Sequence, residues 1–229
     1  MDFLLQGFIK ALELLITGDD ETYSAIFTTV KVSSLSITVS LILGIPLGFI
    51  LGYAEFPGRR VCRTVVDSLL ALPTVVVGLL VYAFISRKGL FGDFGLLFTI
   101  PGIVIGQSIL ALPIVMSLTA SAIENLDVRL RMTLLTLGAN NRQLAMTSLR
   151  EGLFAVMAAS ATAYGRIISE VGVSMMLGGN IKWYTRTITT AMALETGKGE
   201  FAFGLALGLV LLLLAFSVNI LLTILKTRA

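Results

Sequence analysis

Arg166 and Glu170 are the two ionisable residues set deep in an apolar tract, residues 152–181, that is otherwise free of charge. A spacing of four puts both on one face of a helix. An unpaired charge in hydrocarbon costs several kcal/mol. Two readings follow. In one, the residues form a mutual ion pair facing the interior of a bundle. In the other, they belong to a pathway or gate in which Arg166 offers positive potential to an anion and Glu170 anchors it. A proton relay has thinner support, because one Glu has no His or Asp chain to hand a proton to. A second group is uncharged: Ser33, Ser36, Ser40, Gly44, Gly48 and Gly52 recur at steps of three and four, which lines small side chains along one helix face. Such a face serves close helix packing or a polar path. Lys31 precedes it and is placed to snorkel to the membrane interface. Pro73, with Thr74 beside it, and Pro113 lie in the similar strings LLALPTVV and SILALPIV. A missing N–H and a ring clash should kink both helices, as at Pro46, giving either the wall of a pathway or plain curvature.

Other chemistry is excluded by what is missing. The chain has no His and a single Cys, Cys62, so disulfide frameworks, thiolate clusters and the usual general base are absent. Intramembrane hydrolysis by zinc or by a Ser-His pair needs histidine, and an aspartyl mechanism needs two Asp within spans, whereas Asp67 and Asp93 fall at tract ends. The one Gly-Lys pair, Gly197-Lys198, is followed by Gly199 and has no glycine five residues before Gly197, so it is not a phosphate-cradling loop. The chain is therefore not an enzyme by itself, and no metal or cofactor site is expected in it.

The elements that must position these residues are membrane helices. Hydrophobic residues make up 56% of the 229 and charged ones 14%, and the mean hydropathy is +0.93, where soluble domains carry roughly 25% charge. Residues 32–54, 68–86, 94–123 and 201–225 contain no Asp, Glu, Lys or Arg, and 152–181 contains only the pair above. Each reaches the ~20 residues needed to cross a hydrocarbon core. The expected fold is an all-α polytopic membrane bundle of five spanning helices in a single domain, residues 1–229. The N-terminal apolar stretch, residues 4–16, is broken by Gln6, Lys10 and Glu13 and is too short to span. Residues 1–20 therefore read as an amphipathic helix on the membrane surface. Asp19, Asp20 and Glu21 start the first span, where the helix dipole favours carboxylates.

Basic residues set the orientation. Arg59, Arg60, Arg63, Arg129, Arg131, Arg142, Arg150, Lys226 and Arg228 fall on one side, and Lys10, Arg87, Lys88, Lys182, Arg186 and Lys198 on the other. The richer side is expected to be cytoplasmic, with the N-terminus outside and the C-terminus inside. The longest cytoplasmic segment, residues 124–151, reads as two short helices: Asp127 caps the first, Gly138 stops it, and Asn140 or Asn141 caps the second. It is either a solvated connector or a docking knob for another subunit.

With this segment on the page, the chain resembles the membrane permeases of binding-protein-dependent ABC importers. Their loop before the penultimate span carries Glu-Ala-Ala, three residues, Gly, nine residues, then Ile-x-Leu-Pro. Gly138 takes the glycine position within TLGA, residues 136–139, while Met132, Thr133 and Leu134 replace Glu-Ala-Ala, and residues 148–151 replace Ile-x-Leu-Pro. The resemblance covers nearly the whole chain. It is closest to the tungstate and molybdate branch, and to tungstate permeases most of all, through LPTVVVGLLVYAFISRKGLFGDFGLLFT, GRIISEVGVSMMLGGN and YTRTITTAMALETGKGEF. It implies the type I importer fold in the cytoplasmic membrane and a homodimer with the pathway between its protomers. It also implies two cytoplasmic ATP-binding subunits that use ATP and Mg, and an extracytoplasmic substrate-binding protein. On that resemblance the ATPase contact falls on Leu134, Thr136, Leu137, Gly138, Ala139, Asn140, Asn141 and Arg142. The outer loop with Lys182, Trp183, Arg186 and Lys198 receives the binding protein or anchors the interface. The substrate implied is a tetrahedral oxoanion, tungstate ahead of molybdate or sulfate. A stand-alone secondary transporter is the rival reading, and no nucleic-acid partner is expected.

Overall fold

A computed structural model describes the backbone of residues 2–228 and the side chains of residues 4–127, 129–130 and 132–220. Its helices are α1 (Asp2–Ile16), α2 (Asp20–Tyr53), α3 (Arg59–Leu69), α4 (Thr74–Ile85), α5 (Ile100–Glu124), α6 (Val128–Thr136), α7 (Asn141–Glu151), α8 (Leu153–Ile168), α9 (Gly172–Gly178), α10 (Ile188–Gly197) and α11 (Phe201–Arg228), with a 3-10 turn at Gly92–Phe94. Among the described residues, α2, α5 and α11 are long and apolar enough to cross a membrane unbroken. The other two apolar tracts are helical as well, but each is interrupted.

α2 and α5 run parallel and form the central contact. Ser36 Oγ lies 3.2 Å from Gln107 Oε1, Ser40 Oγ donates to Ser108 O at 3.1 Å, and Ser108 Oγ donates to Ser36 O at 3.2 Å. Further along, a Cβ on Gly48 would stand 2.6 Å from Met116 O, and one on Gly52 would stand 2.6 Å from Ala120 O. The small-residue face therefore lets two backbones approach to contact. Pro113, inside α5, is buried and does not end the helix.

Two expectations are corrected. The tract at residues 68–86 is not one kinked helix: Pro73 is the N-cap of α4, and α3 and α4 meet at 98°. Proline biases the preceding residue away from helix, and its fixed φ suits a helix start, so the chain breaks here instead of bending. The tract at residues 152–181 likewise divides into α8 and α9, with Ser169, Glu170 and Val171 between them. α3 runs antiparallel to α5, with Arg59 at Glu124 and Arg63 at Ser117 and Ser121. α4 packs on α9 through Val77, Val81, Ile85, Val173 and Leu177. Both breaks therefore sit at the depth of Leu110 and Ile114, beside the midpoint of α5.

The N-terminal helix α1 packs against the last helix, α11. Gly18, at φ 71, turns the chain, and Asp19 caps α2 by accepting the Thr22 N–H at 2.8 Å. α1 then docks along α11, burying Ala11 and Leu14 with Ile188, Ala206, Leu207 and Val210, while Leu4, Leu5, Phe8 and Ile9 stay exposed. The reason is local: Gly7 and Ala11, four apart, give a flat strip, and Leu205 sits where a Cβ on Gly7 would fall, 2.6 Å away.

The α2–α5 contact yields a direct test. Gly48→Ala and Gly52→Ala should each destabilise the protein by about 1–3 kcal/mol, the usual cost of forcing a methyl into packed backbone. Thermal unfolding in detergent should show this, with Gly197→Ala, which faces open space, leaving the midpoint unchanged.

Candidate functional site

The break between α8 and α9 gathers the polar groups of the bundle. Arg166 lies in the last turn of α8 and Glu170 lies beyond its end, so the pair spans a gap in the helix instead of sharing one face. A cation at a helix C-terminus is favourable. Arg166 Nη1 is 3.0 Å from Glu170 Oε2, but the side chains differ sharply in exposure, 51% for Arg166 and 3% for Glu170. Glu170 is held from elsewhere too: the Val173 N–H donates to Oε1 at 3.3 Å. The Glu170 backbone carbonyl accepts from Ser174 Oγ at 3.2 Å and from Thr189 Oγ1 at 3.0 Å. Gln107 Nε2 of α5 donates to Ser174 Oγ at 3.0 Å, and Gln107 Oε1 faces Ser36 of α2. A buried polar chain thus joins α2, α5, α9, α10 and the break.

Thr74, the first residue of α4, faces the same place. A Cβ on Gly172 would stand 2.9 Å from Thr74 Oγ1 and 3.3 Å from Glu170 Oε1. Thr74 and Arg166 line a small cavity of about 20 Å³ with Leu70, Leu110, Ile114 and Ile167. Thr74, Arg166 and Glu170 therefore come together, with Pro73 setting the start of α4. Ser33, Ser36, Ser40 and Pro113 do not line that cavity: all four are buried, with Ser36 and Ser40 in the α2–α5 contact. Ser36 reaches the break only through Gln107 and Ser174. Gln107, Ser174 and Thr189 are absent from the sequence-based candidates. Gln107 and Ser174 carry only the signal of an uncharged polar residue inside an apolar tract, and Thr189, between tracts, carries none.

At the other candidate region, α6 and α7 form an elbow. Asp127 Oδ1 accepts the Arg129 N–H at 2.8 Å, and Gly138 adopts φ 81, a conformation that costs roughly 1–2 kcal/mol with a side chain. Asn140, not Asn141, caps α7, in a reciprocal box: Gln143 N–H donates to Asn140 Oδ1, and Asn140 N–H donates to Gln143 Oε1, each at 2.9 Å. Thr136, Leu137, Gly138, Asn140, Asn141 and Arg142 are exposed, while Leu134 and Ala139 are half-buried. Met132, Leu135 and Leu137 leave large apolar groups uncovered at this elbow. α7 is followed, after Gly152 alone, by α8, so the elbow connects directly to the break.

Arg59 and Arg63 are occupied internally. Arg59 donates to Leu51 O, Gly52 O and Glu124 Oε1 at 2.8, 2.9 and 2.8 Å. Arg63 donates to Ser117 O at 2.9 Å and Ser121 Oγ at 2.6 Å, and it pairs with Asp67 at 3.3 Å. Arg59 closes the carbonyl end of α2, Arg63 ties α3 to the side of α5, and both line an open cavity of about 840 Å³ with Glu55, Arg60 and Glu124. At the opposite end, Glu21 pairs with Lys182 at 2.6 Å and with Arg186, and Lys198 pairs with Glu195 at 2.8 Å. Trp183 stays exposed under the Lys182 ammonium, which lies 5.3 Å from the ring. Of the basic residues used for orientation, Arg131, Lys226 and Arg228 lie outside the described side chains. Among the described residues, no three Cys, Asp or Glu side chains converge to hold a metal ion.

Comparison with known proteins adds the following. A family model described as binding-protein-dependent transport system inner membrane component matches residues 44–229. A tungstate uptake system permease protein of Campylobacter jejuni is 50% identical over 226 residues, covering 99% of this chain and 95% of that protein. One from Peptoclostridium acidaminophilum is 37% identical over 222 residues, 97% of each chain. A molybdenum transport system permease protein of Escherichia coli is 31% identical over 191 residues, 79% of this chain and 83% of that one. Among solved structures, a bacterial alginate ABC transporter in complex with its pentasaccharide-bound periplasmic protein matches with TM-score 0.77 at 18% identity, over 98% of this chain and 86% of that one. An inward-facing methionine ABC transporter matches with TM-score 0.72 at 15% identity, over 89% and 94%. These two show the fold: a type I importer permease bundle.

The polar chain at the break can be tested by itself. Gln107→Leu removes both of its bonds and leaves Ser174 without its donor, a loss of about 1–3 kcal/mol for a stranded buried group. It should appear as a lowered unfolding midpoint in detergent, and an unchanged midpoint would show that the chain does not support the break.

Proposed function

The chain belongs to the inner-membrane components of binding-protein-dependent transport systems, and we propose that within this family it is the permease subunit of an ATP-driven importer of tungstate. The observation that carries the substrate is the 50% identity to a tungstate uptake permease over 99% of the chain. The molybdenum permease at 31% is the nearest competing chemistry among the relatives named. The chain is a multi-pass membrane protein, and the proposed topology, from the Lys and Arg distribution, places its N-terminus outside and its C-terminus in the cytoplasm.

Two copies would enclose the pathway. The face of α8 that carries Thr162, Gly165, Arg166 and Ser169 is exposed in the single chain. Those residues are small or polar, unlike the exposed Leu79, Leu80 and Phe84 of α4 or Leu212, Leu213 and Phe216 of α11. Such a surface suits water, an anion or a second helix better than lipid. The oxoanion would be delivered by an extracytoplasmic binding protein. Two cytoplasmic subunits would bind ATP with Mg and push on residues 124–151, the cytoplasmic coupling segment of the single domain 1–229. The exposed residues Thr136 to Arg142 offer the contact, with uncovered Leu135 and Leu137 as its apolar part. Alternating access then follows as rigid-body motion biased by ATP on one side and loaded binding protein on the other.

Reconstitution of this chain with its ATPase and binding protein in liposomes tests the reading by uptake of labelled tungstate. Uptake should require ATP, and unlabelled tungstate should compete better than molybdate or sulfate. Uptake driven by an ion gradient without the ATPase would overturn it. Gly138→Pro, which alters only the elbow, should cut tungstate uptake at least tenfold while ATP hydrolysis by the assembled complex continues. Unchanged uptake would remove the elbow from coupling.

A further inference from the structure

We propose that Arg166 is an anion-exchange residue of the pathway: the passing oxoanion takes its guanidinium from Glu170, and Glu170 takes it back as the anion leaves. The proposal rests on the import reading above and deepens it.

Three observations and one physical argument support it. First, Arg166 is half exposed at the depth of Leu110 and Ile114, on a face otherwise made of Thr162, Gly165 and Ser169. A guanidinium turned to lipid at that depth costs several kcal/mol, so this face meets a polar path. Second, a guanidinium has five N–H donors, and the described hydrogen bond uses one of them, from Nη1 to Glu170 Oε2. The remaining donors match the acceptor oxygens of a tetrahedral dianion. Third, the pair is asymmetric. Glu170 is 3% exposed and keeps the Val173 N–H on its other oxygen. The carboxylate stays in place when the guanidinium swings away, so the moving partner is Arg166. Fourth, the neighbouring carboxylate weakens the site on purpose of turnover: a fixed negative charge competes for the cation, and a transport site must hold its ion loosely enough to release it.

The test uses the reconstituted complex with labelled tungstate and the variants Arg166→Lys, Arg166→Gln, Glu170→Gln and the double variant R166Q/E170Q, which strands no charge. The double variant should assemble with the ATPase and keep ATP hydrolysis within twofold of wild type, yet take up tungstate at least tenfold more slowly. Arg166→Lys should retain more uptake than Arg166→Gln. Glu170→Gln should lower both KM and kcat for uptake, because the anion binds an uncontested guanidinium and leaves it slowly; a purely structural pair would not lower KM. Wild-type uptake by the double variant overturns the proposal, and so does its failure to assemble, which would confine Arg166 to holding the fold. If the wild type moves molybdate or sulfate in place of tungstate, the substrate reading falls, and the same variants judge Arg166 with that anion.

Discussion

A helix interrupted inside a membrane leaves backbone groups that water cannot reach, and each one left unsatisfied costs several kcal/mol. The middle of this bundle is organised around that constraint. At the break before α4, the chain tightens into short-range bonds: Leu70 N–H to Asp67 O, Ala71 N–H to Ser68 O and Leu72 N–H to Leu69 O, at 3.2, 3.1 and 3.3 Å. At the break after α8, Ser169 Oγ donates to Arg166 O, and Ser174 and Thr189 donate to Glu170 O. Individually such bonds are worth little in a bilayer, averaging about 0.6 kcal/mol where measured. Their weight lies in the penalty they prevent. That is why Gln107, Ser174 and Thr189 occupy positions where apolar residues would otherwise pack.

The sequence makes the number and placement of apolar tracts legible because hydrophobicity and charge are carried residue by residue. It also makes the small-residue face of α2 legible as a face, since steps of three and four need only helical geometry. What that face touches was open between packing and a path. Only the partner helix decides, because serine hydroxyls suit either: here Ser36 and Ser40 turn to α5. The breaks were not legible. Pro113 and Pro73 sit in nearly the same string, yet Pro113 continues a helix and Pro73 starts one. The difference is tertiary, since α5 is held along its length by α2, while the chain before Pro73 is drawn aside by Arg59 and Arg63 on the end of α5. Ser169 to Val171 carry no proline and no glycine to announce a gap. The spacing of Arg166 and Glu170 makes their pairing legible, but not that the pair bridges the end of α8 instead of lying on a continuous helix. Gly138 and the Asn140–Gln143 box were the easiest elements to read, because caps are local.

Charge location carries a second lesson. The basic cluster at residues 59–63 marks one side of the membrane by count, but most of its capacity is used inside the chain. Arg59 completes the carbonyl end of α2, Arg63 ties α3 to the side of α5, and both meet Glu124, the last residue of α5 before the elbow. The same arginines therefore bias topology and fix the base of the elbow. Arg60 is left exposed, and the apolar elbow itself, with Leu135 and Leu137 uncovered, is the better candidate for a protein partner.

These contacts also constrain how the bundle can move. Gly48 and Gly52 leave no room between α2 and α5, so those helices cannot slide past each other by small increments and behave as one wall. α7 and α8 are separated by Gly152 alone, so the elbow and the far end of α8 are joined by nearly continuous helix. Displacement has to be absorbed where helical hydrogen bonding is already interrupted, at residues 70–73 and 169–171, because hinges form where backbone angles can change without breaking a ladder. Those two places are also where Thr74, Arg166 and Glu170 meet. Thr74, Arg166 and Glu170 are thus carried by the segments best able to move, and a shift of those segments requires no change in the α2–α5 wall.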